Sequence, residues 1–197
     1  IDASLIPVPV QRNSRDENTQ IKQGDIPEDW DGNKQRQKDT DARWTKKNGK
    51  SHYGYKNHIE VDNKHKLIRQ YKTTDASVHD SNVFEELLDP DNTSKDVWAD
   101  SAYRSKEKEA YLKEEGYRSK VQRKGSRNQP LSTREQNGNH TRSKVRSRVE
   151  HIFGAQSNCR KKAIRSIGMV RANTEIGMMN LVYNLRRLCF LERAIAL

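Results

Sequence analysis

This chain is poor in cysteine, poor in aromatic residues and without a long apolar run, and each shortage removes a class of protein. Its two cysteines, Cys159 and Cys189, form no Cys-x-x-Cys pair, which excludes a disulfide framework and a zinc-ribbon spacing and points to a reducing cytoplasmic compartment. No window approaches the roughly 20 apolar residues of a membrane span, and no signal peptide is visible. Hydrophobic residues make up only 31% and aromatics 7%, with a mean hydropathy of −1.15. Spread evenly, that balance predicts disorder, but the apolar residues gather in short runs between charged stretches. The 197 residues suffice for one domain with a core and are too few for two large ones. The chain starts at Ile1 rather than Met, so an N-terminal segment is expected to precede it in the whole protein.

What is abundant is positive charge. Lys and Arg number 38 against 27 Asp and Glu, a formal net charge of +11, and the pI is about 9.7. That excess favours a polyanionic partner, nucleic acid first.

Ile1, Ala3, Leu5, Ile6 and Val8 surround Asp2 in a short apolar run ended by Pro7 and Pro9, which reads as a buried strand carrying an acid. Residues 10–50 turn to Gln, Asn, Asp, Lys and Arg and read as an insertion or long loop, with Trp30 and Trp44 expected to pin it to the core. "YGYKNHIEV" alternates, "DNKHK" turns, and "LIRQYKTTDAS" returns as the second strand of an antiparallel hairpin. Asp80, Ser81 and Asn82 are cap residues for a short helix stopped by Pro90. "DVWAD" runs apolar into Asp100, a helix spans Ser105 to Gly116, and "YRSKVQ" reads as a strand. Residues 124–140 have the composition of a mobile loop. Val145, Val149, Ile152 and Phe153 then mark one face of a helix, and residues 173–197 a packing helix apolar almost all round. The order predicts an α/β architecture, a mixed sheet with helices on its faces.

Three acids stand out. Arg146 and Glu150 lie four apart on one helix, which by itself is an intrahelical ion pair of a few tenths of a kcal/mol. Asp100 alone reads as a turn residue and Asp2 equally as a chain-end acid. Two acids on strands and one on a helix packed against the same sheet can also converge, and close carboxylates repel unless cations neutralise them. Oxygen-only ligands suit magnesium or manganese rather than zinc, and two such ions roughly 3.5–4 Å apart perform phosphoryl transfer on nucleic acid. Basic residues around the acids would grip the DNA backbone. The segment Arg142 to Arg148, with Lys144, and the run Arg118 to Arg127 are expected DNA contacts, as are Tyr103 and Arg104 just after Asp100. His151 is expected to face DNA or pack rather than to bind metal, and His79 with Asp80 reads as a helix entry more readily than as a dyad.

"IDAS", "GYKNHIEVD", "TTDASVHDS", "VWADSAYRS" and "RVEHIFG", in that order, resemble the catalytic core of bacterial insertion-sequence transposases with a DDE triad, and most closely the insertion sequence five family. The resemblance covers nearly the whole chain. It implies an RNase H-like fold with the first Asp on the first strand, the second just after the fourth strand and the Glu on a later helix. Asp2, Asp100 and Glu150 match those positions. Related transposases place a Tyr three residues before the Arg and a Lys seven after the Glu. Here Arg146 and Glu150 keep their spacing, but Ser143 and Ser157 stand at the other two positions, with Arg160, Lys161 and Lys162 as substitutes for the lysine.

The resemblance implies metal-dependent cleavage at element ends and strand transfer into target DNA by a cytoplasmic, nucleoid-associated enzyme. It implies two magnesium or manganese ions on Asp2, Asp100 and Glu150, DNA as partner, no membrane, and a homodimer or larger assembly on paired ends. Two other readings stay open, an RNase H-like nuclease that does not join strands and a basic DNA-binding remnant without activity.

Overall fold

The structure of the chain, a computed structural model, describes residues 1–8, 12–159 and 164–195, apart from the side chains of Cys159 and Ile195. Its centre is the long strand β3 (Lys50–Val61). β1 (Asp2–Pro7) runs antiparallel along one side, with Asp2 opposite Ile59 and Pro7 opposite Gly54. Along the other side β2 (Arg43–Lys47) pairs with the first half of β3 and β4 (Ile68–Asp75) with the second. Because side chains alternate along a strand, Tyr53, Tyr55, Asn57 and Ile59 share one face, and all four are buried. His58 and Glu60 point the other way and are buried as well. The second half of β3 is therefore covered on both faces.

A second, two-stranded sheet pairs β5 (Asp96–Val97) in parallel with β6 (Arg118–Ser119). The crossover between them is α3 (Lys106–Glu114), capped by Ser105, whose hydroxyl accepts the Lys108 amide at 3.1 Å. The nitrogen of Ile1 donates to the Trp98 carbonyl at 2.7 Å, which sets the start of β1 beside the segment leading to Asp100. Two long helices, α4 (Thr133–Cys159) and α5 (Met169–Ile195), cover the Tyr53 face. Val149 and Ile152 of α4 pack on Ile59, and Ala172 and Ile176 of α5 pack with Tyr53 and Tyr55. The result is a mixed α/β architecture. Among the described residues no helix is long and apolar enough to cross a membrane.

The structure departs from the sequence expectation in several places. The segment expected as a loop holds α1 (Arg15–Gln23), α2 (Gly32–Gln37) and β2. α1 has almost no apolar residue, and a reciprocal capping box between Ser14 and Glu17 sets its start. Trp30 donates its indole N–H to Glu17 at 2.8 Å, and Trp44 donates to the Asn13 carbonyl at 2.9 Å. The buried carboxylate of Asp39 fastens the segment to the sheet through the Tyr55 hydroxyl at 2.8 Å. The expected mobile loop is helical from Thr133, where Ser132 and Glu135 cap each other at 3.3 and 2.9 Å. In place of the short helix near Asp80 stand two 3-10 turns, Asp80–Val83 and Glu85–Leu87, with His79 at the cap. α5, expected as a packing helix apolar almost all round, leaves one apolar face exposed.

Candidate active site

β1 delivers Asp2 with its side chain mostly out of water. One carboxylate oxygen accepts the Ala3 amide at 2.8 Å and the other accepts Nη1 of Arg146 at 2.7 Å. The second arm of the same guanidinium, Nη2, donates to Glu150 Oε1 at 2.7 Å. Residues 146 and 150 are one helical turn apart, so α4 presents both on the face that looks toward β1. Side-chain exposure is 15% for Asp2, 19% for Arg146 and 55% for Glu150. One cation therefore bridges a shielded acid and an open one. Burial pushes the Asp2 carboxyl above the usual carboxylate range, and the nearby Asp100 charge adds to that, against the pull of the Ala3 amide and Arg146.

Asp100 ends the segment that follows β5 and starts the 3-10 turn Ser101–Tyr103. It accepts the Ser101 hydroxyl at 3.0 Å and reaches Asp2 electrostatically rather than by a shared partner. Asp2 and Glu150 are thus tied through Arg146, while Asp100 ends a segment of the second sheet. Among the described residues, no group of three acidic, His or Cys side chains is closed around a point where an ion would sit.

The expected phosphate contacts divide. Tyr103 is 1% exposed and its ring packs 5.6 Å from that of Phe84, so a surface contact with DNA is not open to it; the apolar cluster of Phe84, Leu112 and Val121 takes the ring inward. Its hydroxyl has no partner and lies among the charges of Asp80, Asp2 and Asp100, which together with burial raise its pKa. Arg104 is engaged by Glu109 at 3.2 Å. Arg142 donates to Asn139 at 3.2 Å and Arg148 to the Asn63 carbonyl at 2.8 Å, which ties α4 to the β3–β4 turn. Lys144 and His151 are exposed on α4. Ser143, at the position where related proteins have Tyr, accepts the Gln122 side-chain amide at 2.6 Å. Ser157 is exposed. Arg160, Lys161 and Lys162 lie outside the described residues.

Two groups near the site escaped the sequence reading. Glu60, 8% exposed, lines a cleft of about 130 Å³ together with Asp62, Asp96, Arg146 and Arg148, and burial lifts its carboxyl to about 6. Lys56 pairs with Asp80 at 2.8 Å and donates to the Val78 carbonyl at 2.6 Å. Only the alternation of β3 signals them, since it puts residues 56, 58 and 60 on one face.

The chain is 37% identical over 117 residues to the transposase for insertion sequence element IS1106 of Neisseria meningitidis serogroup B, a stretch that is 59% of this chain and 40% of that protein. The chain thus spans about two fifths of the length of the curated relative it matches. No solved structure gives a significant match. The sequence profile described as the transposase DDE domain matches residues 1–185, from the strand that carries Asp2 through α4 and most of α5, and the chain therefore belongs to that family.

Proposed function

We propose that this chain is the catalytic core of an insertion-sequence transposase that cleaves DNA at element ends and joins the freed end to target DNA, with an RNase H-like arrangement and closest kinship to the insertion sequence five family. The observation that carries the reading is the bridge from Arg146 to both Asp2 and Glu150, at 2.7 Å each. Two acids from the first strand and a late helix meet at a single positive charge, with Asp100 close enough to perturb Asp2.

The donor set fits hard divalent cations. All three candidate ligands are carboxylates, and a cation already stands between two of them. Asp2, Asp100 and Glu150 would hold two magnesium or manganese ions, which when bound supply an activated water or 3′ hydroxyl and a counter-charge for the leaving oxygen. The chain's own residues do the rest. Asp2 is held by the Ala3 amide and Arg146; Glu150, more than half exposed, would exchange its Arg146 contact for a ligand. Arg142 and Arg146 on one side of α4 and Lys144 and Arg148 on the other give the helix a positive charge for a DNA backbone, which makes binding steeply salt-dependent. Arg160 and Lys161 extend the basic stretch in sequence. Such an enzyme works in the cytoplasm at the nucleoid, as a dimer or larger assembly on paired ends.

The test is substitution of each acid, Asp2→Asn, Asp100→Asn and Glu150→Gln, followed by assays of strand cleavage and of joining a pre-cut DNA end in magnesium or manganese. Both activities are expected to vanish while the fold and DNA binding persist, and activity retained in any of the three removes that residue from the triad. Cleavage without joining would point to a nuclease. Salt-sensitive binding with neither activity, indifferent to divalent ions, would point to a DNA-binding module.

A further inference from the structure

β2 and β3 run on past the sheet as a two-stranded ribbon. β1 pairs with β3 only as far as Gly54 and β4 only as far as Tyr55, so Lys50, Ser51 and His52 pair with β2 alone among the described residues. A two-residue turn closes the tip. Asn48 and Gly49 take positive φ, 51° and 76°, between Lys47 and Lys50, which face each other. Positive φ at both positions is the type I′ geometry, whose twist matches that of the strands, and Asn-Gly adopts it readily. At the base, Trp44 and Tyr53 stand opposite each other with their rings 5.1 Å apart. The ribbon is therefore a stiff projection.

Its charge has one sign. Residues 42–59 contain Arg43, Lys46, Lys47, Lys50 and Lys56 and no acid. Two of the five are engaged: Arg43 donates to the Ala42 carbonyl at 2.9 Å, and Lys56 pairs with Asp80 at 2.8 Å. Lys46, Lys47 and Lys50 are exposed, and their ammonium groups have no partner among the described residues. Asp39 and Asp41, just before β2, are taken by the Tyr55 hydroxyl and the Met169 amide, each at 2.8 Å. Like charges directly opposite weaken a strand pair, and Lys47 against Lys50 is such a pair. A rigid tip that keeps this repulsion fits a polyanion, and two strands make a ribbon that the major groove of DNA admits. Asp2 stands opposite Ile59, so at the rise of an extended strand the tip lies roughly 30 Å from it along β3. That is close to the ~35 Å of one DNA turn.

We propose that the β2–β3 ribbon is a second DNA-contact surface, separate from α4, whose Lys46, Lys47 and Lys50 hold the backbone of a duplex about one helical turn from the candidate active site. The proposal rests on DNA as the partner under the proposed function. It is independent of the roles given there to Asp2, Asp100 and Glu150.

Fluorescence anisotropy of a labelled duplex of about 30 base pairs, titrated with the chain at about 50 to 200 mM salt, tests it. Lys47→Gln/Lys50→Gln is compared with Lys22→Gln/Lys113→Gln, which removes the same charge from exposed lysines of α1 and α3. The ribbon variant is expected to bind about tenfold more weakly and to flatten the slope of log affinity against log salt by about 2, while the control changes affinity less than about threefold. Without DNA its thermal midpoint should hold or rise, because the substitution relieves a repulsion; this separates a lost contact from a lost fold. Where the double variant does not fold, Lys47→Gln and Lys50→Gln singly take its place, each flattening the slope by about 1. The same loss is expected on an Asp2→Asn background. Equal weakening by the ribbon and control variants overturns the proposal and leaves net charge as the cause. A wild type that binds the duplex with no loss in the ribbon variant overturns the ribbon alone, and a wild type that binds no duplex overturns it together with the DNA reading.

Discussion

Arg146 Nη1 lies 2.7 Å from the carboxylate of Asp2, a residue 144 positions away in the chain. With its other arm the guanidinium holds Glu150 on its own helix at 2.7 Å, so one side chain fixes the approach of α4 to β1 and is shared between two acids of the candidate site. Its Nε is buried without a partner. The two acids depend on it unequally, because water screens Glu150 far more than Asp2.

That inequality is measurable. Arg146→Gln leaves Asp2 shielded and unpaired and is expected to cost about 1–3 kcal/mol, less than the roughly 3–5 kcal/mol of a fully buried pair because both groups keep some water. Glu150→Gln removes an exposed pair one helical turn apart and should cost about 0.5 kcal/mol or less. Urea unfolding of both variants gives the comparison. Equal losses would contradict the assignment of Asp2 as the dependent partner.

The sequence made some of this legible. The alternation of β3, the apolar face of α4 and the Arg146–Glu150 spacing are local patterns, and each reappears in the structure. The reach of Arg146 to Asp2 is not local and has no signature in either segment. α1 and α2 were missed because helices with almost no apolar residue have no 3.6-residue period, although the Ser14–Glu17 and Ser132–Glu135 capping boxes were readable. The burial of Tyr103 depends on Phe84 and Leu112 folding over it, contacts that its own neighbourhood in sequence does not encode. An apolar helix such as α5 reads the same whether its second face meets a core or stays exposed.

A buried amide network joins the two long helices to the sheet. Asn57 donates to Asn180 at 2.9 Å, Asn180 donates back at 3.2 Å, and Gln156 donates to Asn180 at 2.8 Å. All three residues are buried. Asn180→Leu strands the amides of Asn57 and Gln156 and is expected to cost about 2–4 kcal/mol, whereas adding Asn57→Val should recover part of it, since two apolar partners leave fewer orphaned groups. A double-mutant cycle measured by denaturation reads the coupling; additive losses would show that the amides do not act as a unit.

Gly54 sits where β1, β2 and β3 meet, at φ +151°, and a Cβ there would stand 2.2 Å from the Ile6 carbonyl oxygen. Gly54→Ala must push β1 away from β3 and is expected to cost about 3 kcal/mol or more. Gly32, at the start of α2 with nothing within 4 Å, is the control; alanine there should be neutral or stabilising by up to about 1 kcal/mol. A Gly54→Ala variant with an unchanged thermal midpoint would mean that the strand crossing is looser than the structure has it.

His58 gives the fold a pH dependence. It is fully buried, with Nε2 at 2.8 Å from the Thr74 hydroxyl and Nδ1 without a partner. Burial pushes its pKa down to about 4; Asp80 pulls it up and Lys56 pushes it further down. In the unfolded chain the ring titrates near 6.5. The unfolded state therefore takes the proton first, so the stability tied to a neutral His58 is complete above about pH 6.5, is lost as the pH falls toward about 4, and changes no further below that. The difference of 6.5 − 4, about 2.5 pKa units, corresponds to roughly 3 kcal/mol. Glu60 works in the opposite direction: burial lifts its carboxyl to about 6, so the folded state takes that proton first and gains stability as the pH falls from about 6 toward the ordinary carboxyl range. The two partly cancel in the wild type, and single substitutions separate them. Urea midpoints at pH 7, 5 and 4 should show the penalty of His58→Gln, relative to wild type, shrinking as the pH falls, and that of Glu60→Gln moving the other way. A His58→Gln difference that stays constant from pH 7 to pH 4 would mean that the imidazole is not held neutral by burial.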